Sequence, residues 1–407
     1  MCIKRIIKWW KKRYSRNLPP RKLEEAPCLL YQNLVDEAFG AGHVVIKQPP
    51  KDNILIGSLQ YPDVYAEFIS NFKNRLKRLR HKYEHTSSYP ALLEQVKQVA
   101  DPKNWEGAYA ELVAYDIMWN EFLIGGIELD KTLPANDSFA GEMGQKATNE
   151  DGYIGEYGLY FDVKIMSDTV GDILKGITEE AIGQSRQQGK CDILCEYPID
   201  DDEEEYALNR TALCKELSGI LTTYNTMTSG SKNMASQVMP DLIYRIRWGA
   251  GVNSVMSAYS PYRHAENCRH LVFKRYTKKL MKQEPFMLVM VNFPWYNGRI
   301  NSFCDCDQVF YRSLARRTFC GYLRDNTPMN AIVKKFQGGE TVYEVSKHLN
   351  GIIFIDDNSI KSDSYTCNII MNPNAKNPQP TMEHYLLSLV QNGDDRSLMD
   401  DLRHDNY

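Results

Sequence analysis

Asp162 and Lys164 stand two residues apart in the run Leu159-Tyr160-Phe161-Asp162-Val163-Lys164-Ile165. On an extended strand that spacing puts both charges on one face and Phe161, Val163 and Ile165 on the other. Unpaired charge is costly to bury, so a strand with an Asp/Lys face needs a reason for it. A divalent metal with a phosphate substrate supplies one. Carboxylates are oxygen ligands that Mg²⁺ prefers, and lysine offers a compact positive charge to a phosphate oxygen.

One acid rarely holds a magnesium ion. Asp151 lies eleven residues earlier, opening the strand-like run Asp151-Gly152-Tyr153-Ile154. A hairpin between the two runs brings both carboxylates to one end of a sheet. Gly152, Gly155 and Gly158 permit the turn and a close backbone approach. The third acid comes from a helix predicted over 105–122. Glu106 and Glu111 are five residues apart there and face different directions, so only one reaches the metal. The small neighbours Gly107, Ala108, Ala110 and Ala114, which let a helix lie close to a sheet, favour Glu111.

The positioning elements follow in order. A strand is predicted near 123–129, a polar loop near 134–150, the two strand-like runs, a helix over 177–188 ended by Gly189, and a strand over 191–197. That order resembles the core of the PD-(D/E)XK nuclease superfamily, the restriction-endonuclease-like fold. The resemblance covers about a quarter of the chain and is carried by Glu111, Asp151, Asp162 and Lys164. It implies that Asp151 and Asp162 coordinate Mg²⁺ or Mn²⁺, that Glu111 completes the shell, and that Lys164 positions the attacking water and the scissile phosphate. Gln184 matches a glutamine that recurs in the following helix of several branches. The proline of the family name is absent, since Glu150 precedes Asp151. The implied partner is nucleic acid, DNA before RNA. Family habit adds a bacterial defence or restriction setting, with a partner protein or self-association.

Outside that core the chain is informative mainly through charge. It has 407 residues, 43% hydrophobic and 25% charged, with a net charge of −3, which excludes a uniformly basic nucleic-acid coat. Local basic segments exist nonetheless. The first 22 residues carry nine Lys and Arg and no acid, with Ile3, Ile6, Ile7, Trp10 and Tyr14 at helical spacing. Such an arm fits an anionic membrane surface, a nucleic acid, or a solvated end. A second basic helix within 62–82 presents Lys73, Arg75, Lys77, Arg78, Arg80 and Lys82 as nucleic-acid contacts. The N-terminus lacks the uninterrupted apolar core of a signal peptide, and the ten cysteines form no compact framework, so a reducing, cytoplasmic setting is expected.

The fold expected is α/β: a mixed central sheet flanked by helices, with an N-terminal extension and a helical insertion. Its parts are a basic arm (1–25), an α/β extension (26–103) with short strands at 43–46 and 53–56, and the nuclease core (104–199). A mostly helical insertion (200–283) follows. The apolar runs at 286–291 and 351–355 then complete the sheet within 284–372, in company with the strand at 191–197. A polar tail (373–407) carries a short helix over 382–390. The rival readings are a non-catalytic nucleic-acid-binding module and a membrane-surface scaffold acting through the basic N-terminus.

Overall fold

The computed structural model describes residues 27–47, 53–101, 104–133, 148–165, 169–185, 191–198, 203–224, 230–248, 253–258, 261, 265, 284–293, 306–320, 347–360 and 365–389. The basic arm at 1–25 lies outside them, as does the chain from 390 onward.

Among the described residues the N-terminal extension is helical, not α/β. It holds α1 (Pro27–Phe39), α2 (Ile54–Ser58), α3 (Pro62–Tyr83) and α4 (Tyr89–Gln98). Both strands expected there are absent for local reasons. Asn53 caps α2 by accepting the Ile56 N–H at 3.1 Å, which turns the apolar run at 54–58 into a helical turn. The segment at 43–46 satisfies its backbone on a side chain instead of a strand. Gln32 donates to the Val44 carbonyl at 2.8 Å and accepts the Ile46 N–H at 2.9 Å.

Next comes α5 (Trp105–Asn120), apolar on nearly every side and correspondingly buried, with Ala108, Ala110 and Ala114 closed off from solvent. It leads into β1 (Ile127–Leu133), β2 (Thr148–Ile154) and β3 (Leu159–Ile165), an antiparallel meander. The sheet continues with β8 (Phe286–Asn292), β9 (Leu349–Asp357) and β10 (Tyr365–Met371) in the order β1-β2-β3-β8-β9-β10. Strands β3, β8 and β9 run parallel, and β10 returns antiparallel. Every residue of β8 and β9 is buried, as continuous apolar runs require. On one face Phe161, Val163, Val289, Ile353 and Ile355 share a core with the helices α1 to α5. On the other, Leu288, Met290, Ile352 and Phe354 meet α9 (Cys306–Cys320) through Phe310, Tyr311 and Leu314. The helix α10 (Pro380–Leu389), expected over 382–390, closes the first core with Met382 and Leu386.

Between β3 and β8 lies a second unit with its own core. It comprises α6 (Thr169–Ser185), β4 (Cys191–Pro198), α7 (Glu203–Leu208), α8 (Arg210–Tyr224), β5 (Ser231–Ala235), β6 (Ile243–Trp248) and β7 (Asn253–Ala258). Its sheet runs β5-β6-β4-β7. Two expectations are corrected here. The strand at 191–197 does not join the large sheet, and the insertion, expected to be mostly helical, also contributes the strands β5, β6 and β7. Both corrections have one cause. In β4, Cys191, Ile193, Cys195 and Tyr197 are buried while Asp192 and Glu196 reach the open side, where they pair with Arg247 and Arg245 of β6. A one-sided strand suits a sheet with one solvated face; the centre of the large sheet is apolar on both. The inserted unit therefore starts at α6, not at residue 200.

Within the meander, Gly152 has a steric reason to be glycine. A Cβ there would lie 2.1 Å from Cζ of Phe161, its cross-strand neighbour. Phe161 is fully buried and packs edge-on against Tyr115 at 6.4 Å, so its ring has little room to yield. Gly152→Ala should cost about 1–3 kcal/mol by overpacking, read from denaturant unfolding. Phe161→Leu in the same chain should recover part of it; a Gly152→Ala protein of unchanged stability would refute this account. No helix among the described residues is long and apolar enough to cross a membrane.

Candidate active site

The helix α5 and the strands β2 and β3 meet at the middle of the two strands, Asp151 and Asp162 each being the fourth of seven residues, and not at one end of the sheet as expected. The regular pairing of β2 with β3 runs from Ile154↔Leu159 to Gly152↔Phe161. One step further, where Asp151 stands opposite Asp162, carboxylates take over the backbone's hydrogen bonds. Asp162 Oδ1 accepts the Asp151 N–H at 3.2 Å, and Asp151 Oδ2 accepts the Val163 N–H at 2.7 Å. Each strand's acid thus satisfies the other strand's donor, and both carboxylates are fixed without a flexible loop. Lys164 Nζ lies 3.8 Å from Asp151 Oδ2 and 3.7 Å from Asp162 Oδ2. Asp162 is fully buried, Asp151 is 22% exposed and Lys164 36% exposed, so the group opens to solvent from the lysine side.

Glu111 arrives from α5, on the sheet face lined by Phe161. Tyr115, one helical turn on, places its hydroxyl 2.9 Å from Glu111 Oε2 and 2.9 Å from the Asp151 carbonyl oxygen. Burial first, and the charge of Asp151 second, push the Glu111 carboxyl up to about 8; Tyr115 and Lys164 pull the other way. The sign follows from proton linkage. Between the ordinary value of 4.5 and about 8 the folded protein holds a proton that the unfolded chain has released. Stability of the metal-free protein should therefore fall as pH rises through that window, and Glu111→Gln should flatten this part of the profile in pH-dependent unfolding. An identical slope in the variant would refute the assignment.

The donor set is all oxygen, which suits a hard divalent cation. Among the described residues no three or more His, Cys, Asp or Glu stand together as a group that could hold a metal ion. Magnesium does not need one, since it commonly takes one or two carboxylates, several waters and a substrate phosphate. Asp151 and Asp162 fit that mode; Glu111, expected to complete the shell, stands on the Phe161 face of the sheet, where the charge of Asp151 still reaches it.

Other expected residues lie elsewhere. Gln184 is exposed on α6, where its amide donates to Glu180 at 3.2 Å, and Glu180 in turn pairs with Arg210. It is thus committed to the second unit. The basic helix α3 also differs from expectation. Arg75 is buried, held by Asp116 at 3.3 Å, Asp357 at 3.0 Å and the Tyr109 hydroxyl at 2.9 Å, so it is no surface contact for nucleic acid. Arg78 pairs with Asp116 at 2.6 Å, Lys73 with Glu37 at 3.0 Å and Arg80 with Glu84 at 3.0 Å. Lys82 sits over the Trp119 ring at 5.7 Å, and Lys77 is exposed. Acids from other elements take up much of the positive charge that the sequence displays.

Two residues at the site were not singled out from sequence. Tyr115 had a signal, its i+4 spacing from Glu111, but a tyrosine in an apolar helix reads as core. Glu150, noted in the sequence only as the residue before Asp151, is 1% exposed. No protein-family model, no curated protein and no solved structure matches this chain.

Proposed function

We propose that this chain is a metal-dependent nuclease that hydrolyses phosphodiester bonds, with DNA preferred to RNA, at the group formed by Glu111, Asp151, Asp162 and Lys164. The supporting observation is the cross-strand exchange between Asp151 and Asp162, which fixes two carboxylates within 4 Å of one lysine ammonium. Asp151 and Asp162 would hold Mg²⁺ or Mn²⁺, with Glu111 beside them. Such an ion, when bound, lowers the pKa of its water and offsets charge on the phosphate.

The chain's own groups do the rest. Asp162 is immobilised by burial and by the Asp151 N–H, so its carboxylate needs no reorganisation during the reaction. Lys164 keeps its ammonium at the solvent side, where it can meet a phosphate oxygen and stabilise negative charge developing there. Tyr115 holds Glu111 against the β2 backbone, which keeps the third acid close to the pair.

The test is incubation of the purified chain with supercoiled plasmid, single-stranded DNA and single-stranded RNA, each with Mg²⁺, Mn²⁺ or a chelator. Metal-dependent cleavage of DNA is expected, with RNA cut more slowly. Binding without cleavage in either metal would overturn the reading in favour of a non-catalytic nucleic-acid-binding module.

A further inference from the structure

The face of the meander that carries Asp151, Asp162 and Lys164 carries a second chemistry one strand step away. Tyr153 stands two residues after Asp151, and Tyr160 two before Asp162. Period-two alternation puts all four on the same face. Tyr153 and Tyr160 are directly opposite in the register, with ring centroids 4.6 Å apart and planes inclined by 44°. Both are half-buried: Tyr160 leans on the core beneath α9, and neither ring is closed off from solvent. Lys131, on the neighbouring strand β1, places Nζ 5.1 Å from the Tyr153 ring centroid.

A partly exposed aromatic pair on a sheet is more often a cross-strand packing contact than a binding site. Position argues for more here. The tyrosines lie about 7 Å along the strands from the two aspartates, a two-residue step of β structure. That is the order of one nucleotide along a strand. A chain whose phosphate sits at Lys164 therefore brings its adjoining base to the tyrosines. Lys131, which pairs with Glu128 at 2.5 Å, flanks the aromatic pair, and Lys164 flanks the acid pair, so a cation stands beside each for a phosphate backbone to meet. Aromatic rings beside cations suit an unpaired base, because every base has a π-face and a duplex keeps its own faces stacked inside.

We propose that Tyr153 and Tyr160 form a stacking platform for an unpaired nucleobase next to the scissile phosphate, with Lys131 contacting the adjoining backbone. This rests on the nuclease reading of the neighbouring site. It makes the substrate single-stranded, or duplex that is locally opened.

The experiment measures binding by the full-length protein in chelator. The probes are single-stranded oligonucleotides of deoxy and ribo type, a blunt duplex, and a strand whose bases are all abasic. Tyr153→Leu and Tyr160→Leu should each weaken single-strand binding at least about tenfold, the scale of one lost base–aromatic stack. Tyr153→Phe should bind like wild type, and the abasic strand should bind wild type and leucine variants alike. A 2-aminopurine placed in the strand should lose fluorescence on wild type but not on Tyr153→Leu. The deoxy and ribo arms separate DNA from RNA as the source of the base. Leucine variants that bind as wild type, or that lose abasic and base-bearing strands equally, would overturn the platform. Base-dependent binding without metal-dependent cleavage would leave the platform standing and remove the nuclease reading. Cleavage unaffected by either leucine variant would do the reverse.

Discussion

Asp162→Asn is expected to cut the proposed metal-dependent cleavage by at least about 10²–10³-fold, the scale on which one preorganised electrostatic group acts at a reaction centre. The asparagine keeps an oxygen where Asp162 Oδ1 accepts the Asp151 N–H, so the splice between β2 and β3 survives. What disappears is a fully buried negative charge 3.7 Å from Lys164. That charge also raises the Glu111 carboxyl pKa, behind the larger effects of burial and Asp151, so its removal relieves crowding among the acids. The metal-free variant should therefore be about as stable as wild type. Metal should separate the two proteins. A ligand that binds only the folded state raises the melting temperature, so Mn²⁺ should stabilise wild type and stabilise Asp162→Asn much less. Cleavage at the wild-type rate, or an equal Mn²⁺ shift in both proteins, would remove Asp162 from the centre.

The parts of this arrangement legible in sequence were those governed by local periodicity. Phe161, Val163 and Ile165 alternate with Asp162 and Lys164, and the structure buries Phe161 and Val163 against α5 with Ile165 partly buried beside them, although Asp162 is buried as well. Gly155 and Gly158 marked the turn, where Gly158 adopts φ +60. The runs at 286–291 and 351–355 read as strands buried on both faces and are. Partner choice was not legible, because it is decided by residues far apart in the chain. Nothing near Cys191 says that β4 pairs with Ile243–Trp248 instead of β3, although Arg245 and Arg247 alternating with Tyr244 and Ile246 do announce a one-sided strand. The clearest case is α3. Its row of cations looked like a nucleic-acid surface because Asp116 and Asp357, which claim the central arginine, lie 41 and 282 residues away.

That arginine sets the largest stability effect expected in the chain. Arg75 joins α3 to Asp116 on α5 and to Asp357 at the end of β9, beside the Tyr109 ring that packs against Phe68, Phe72 and Phe293. Burial opposes its charge, but Asp357, Tyr109 and Asp116 together outweigh that and move its pKa up. Removing one partner of a buried pair costs about 3–5 kcal/mol, mostly because the other charge is left uncompensated. Arg75→Met should fall near the lower end. Asp116 retains Arg78 at 2.6 Å, and Asp357 still accepts from the Tyr109 hydroxyl at 3.0 Å and from Ser359 at 2.9 Å. Adding Asp357→Asn to Arg75→Met should recover part of the loss, since the stranded charge is then gone. Asp357→Asn alone should destabilise, by leaving Arg75 with Asp116 as its one acid. Denaturant unfolding of the two single variants and the double variant closes the cycle. Additive losses would mean that the pair is not coupled. Base-dependent oligonucleotide binding by Arg75→Met, measured well below its melting temperature, should match wild type, because the side chain never reaches the surface. A selective loss of that binding would return Arg75 to the nucleic-acid interface.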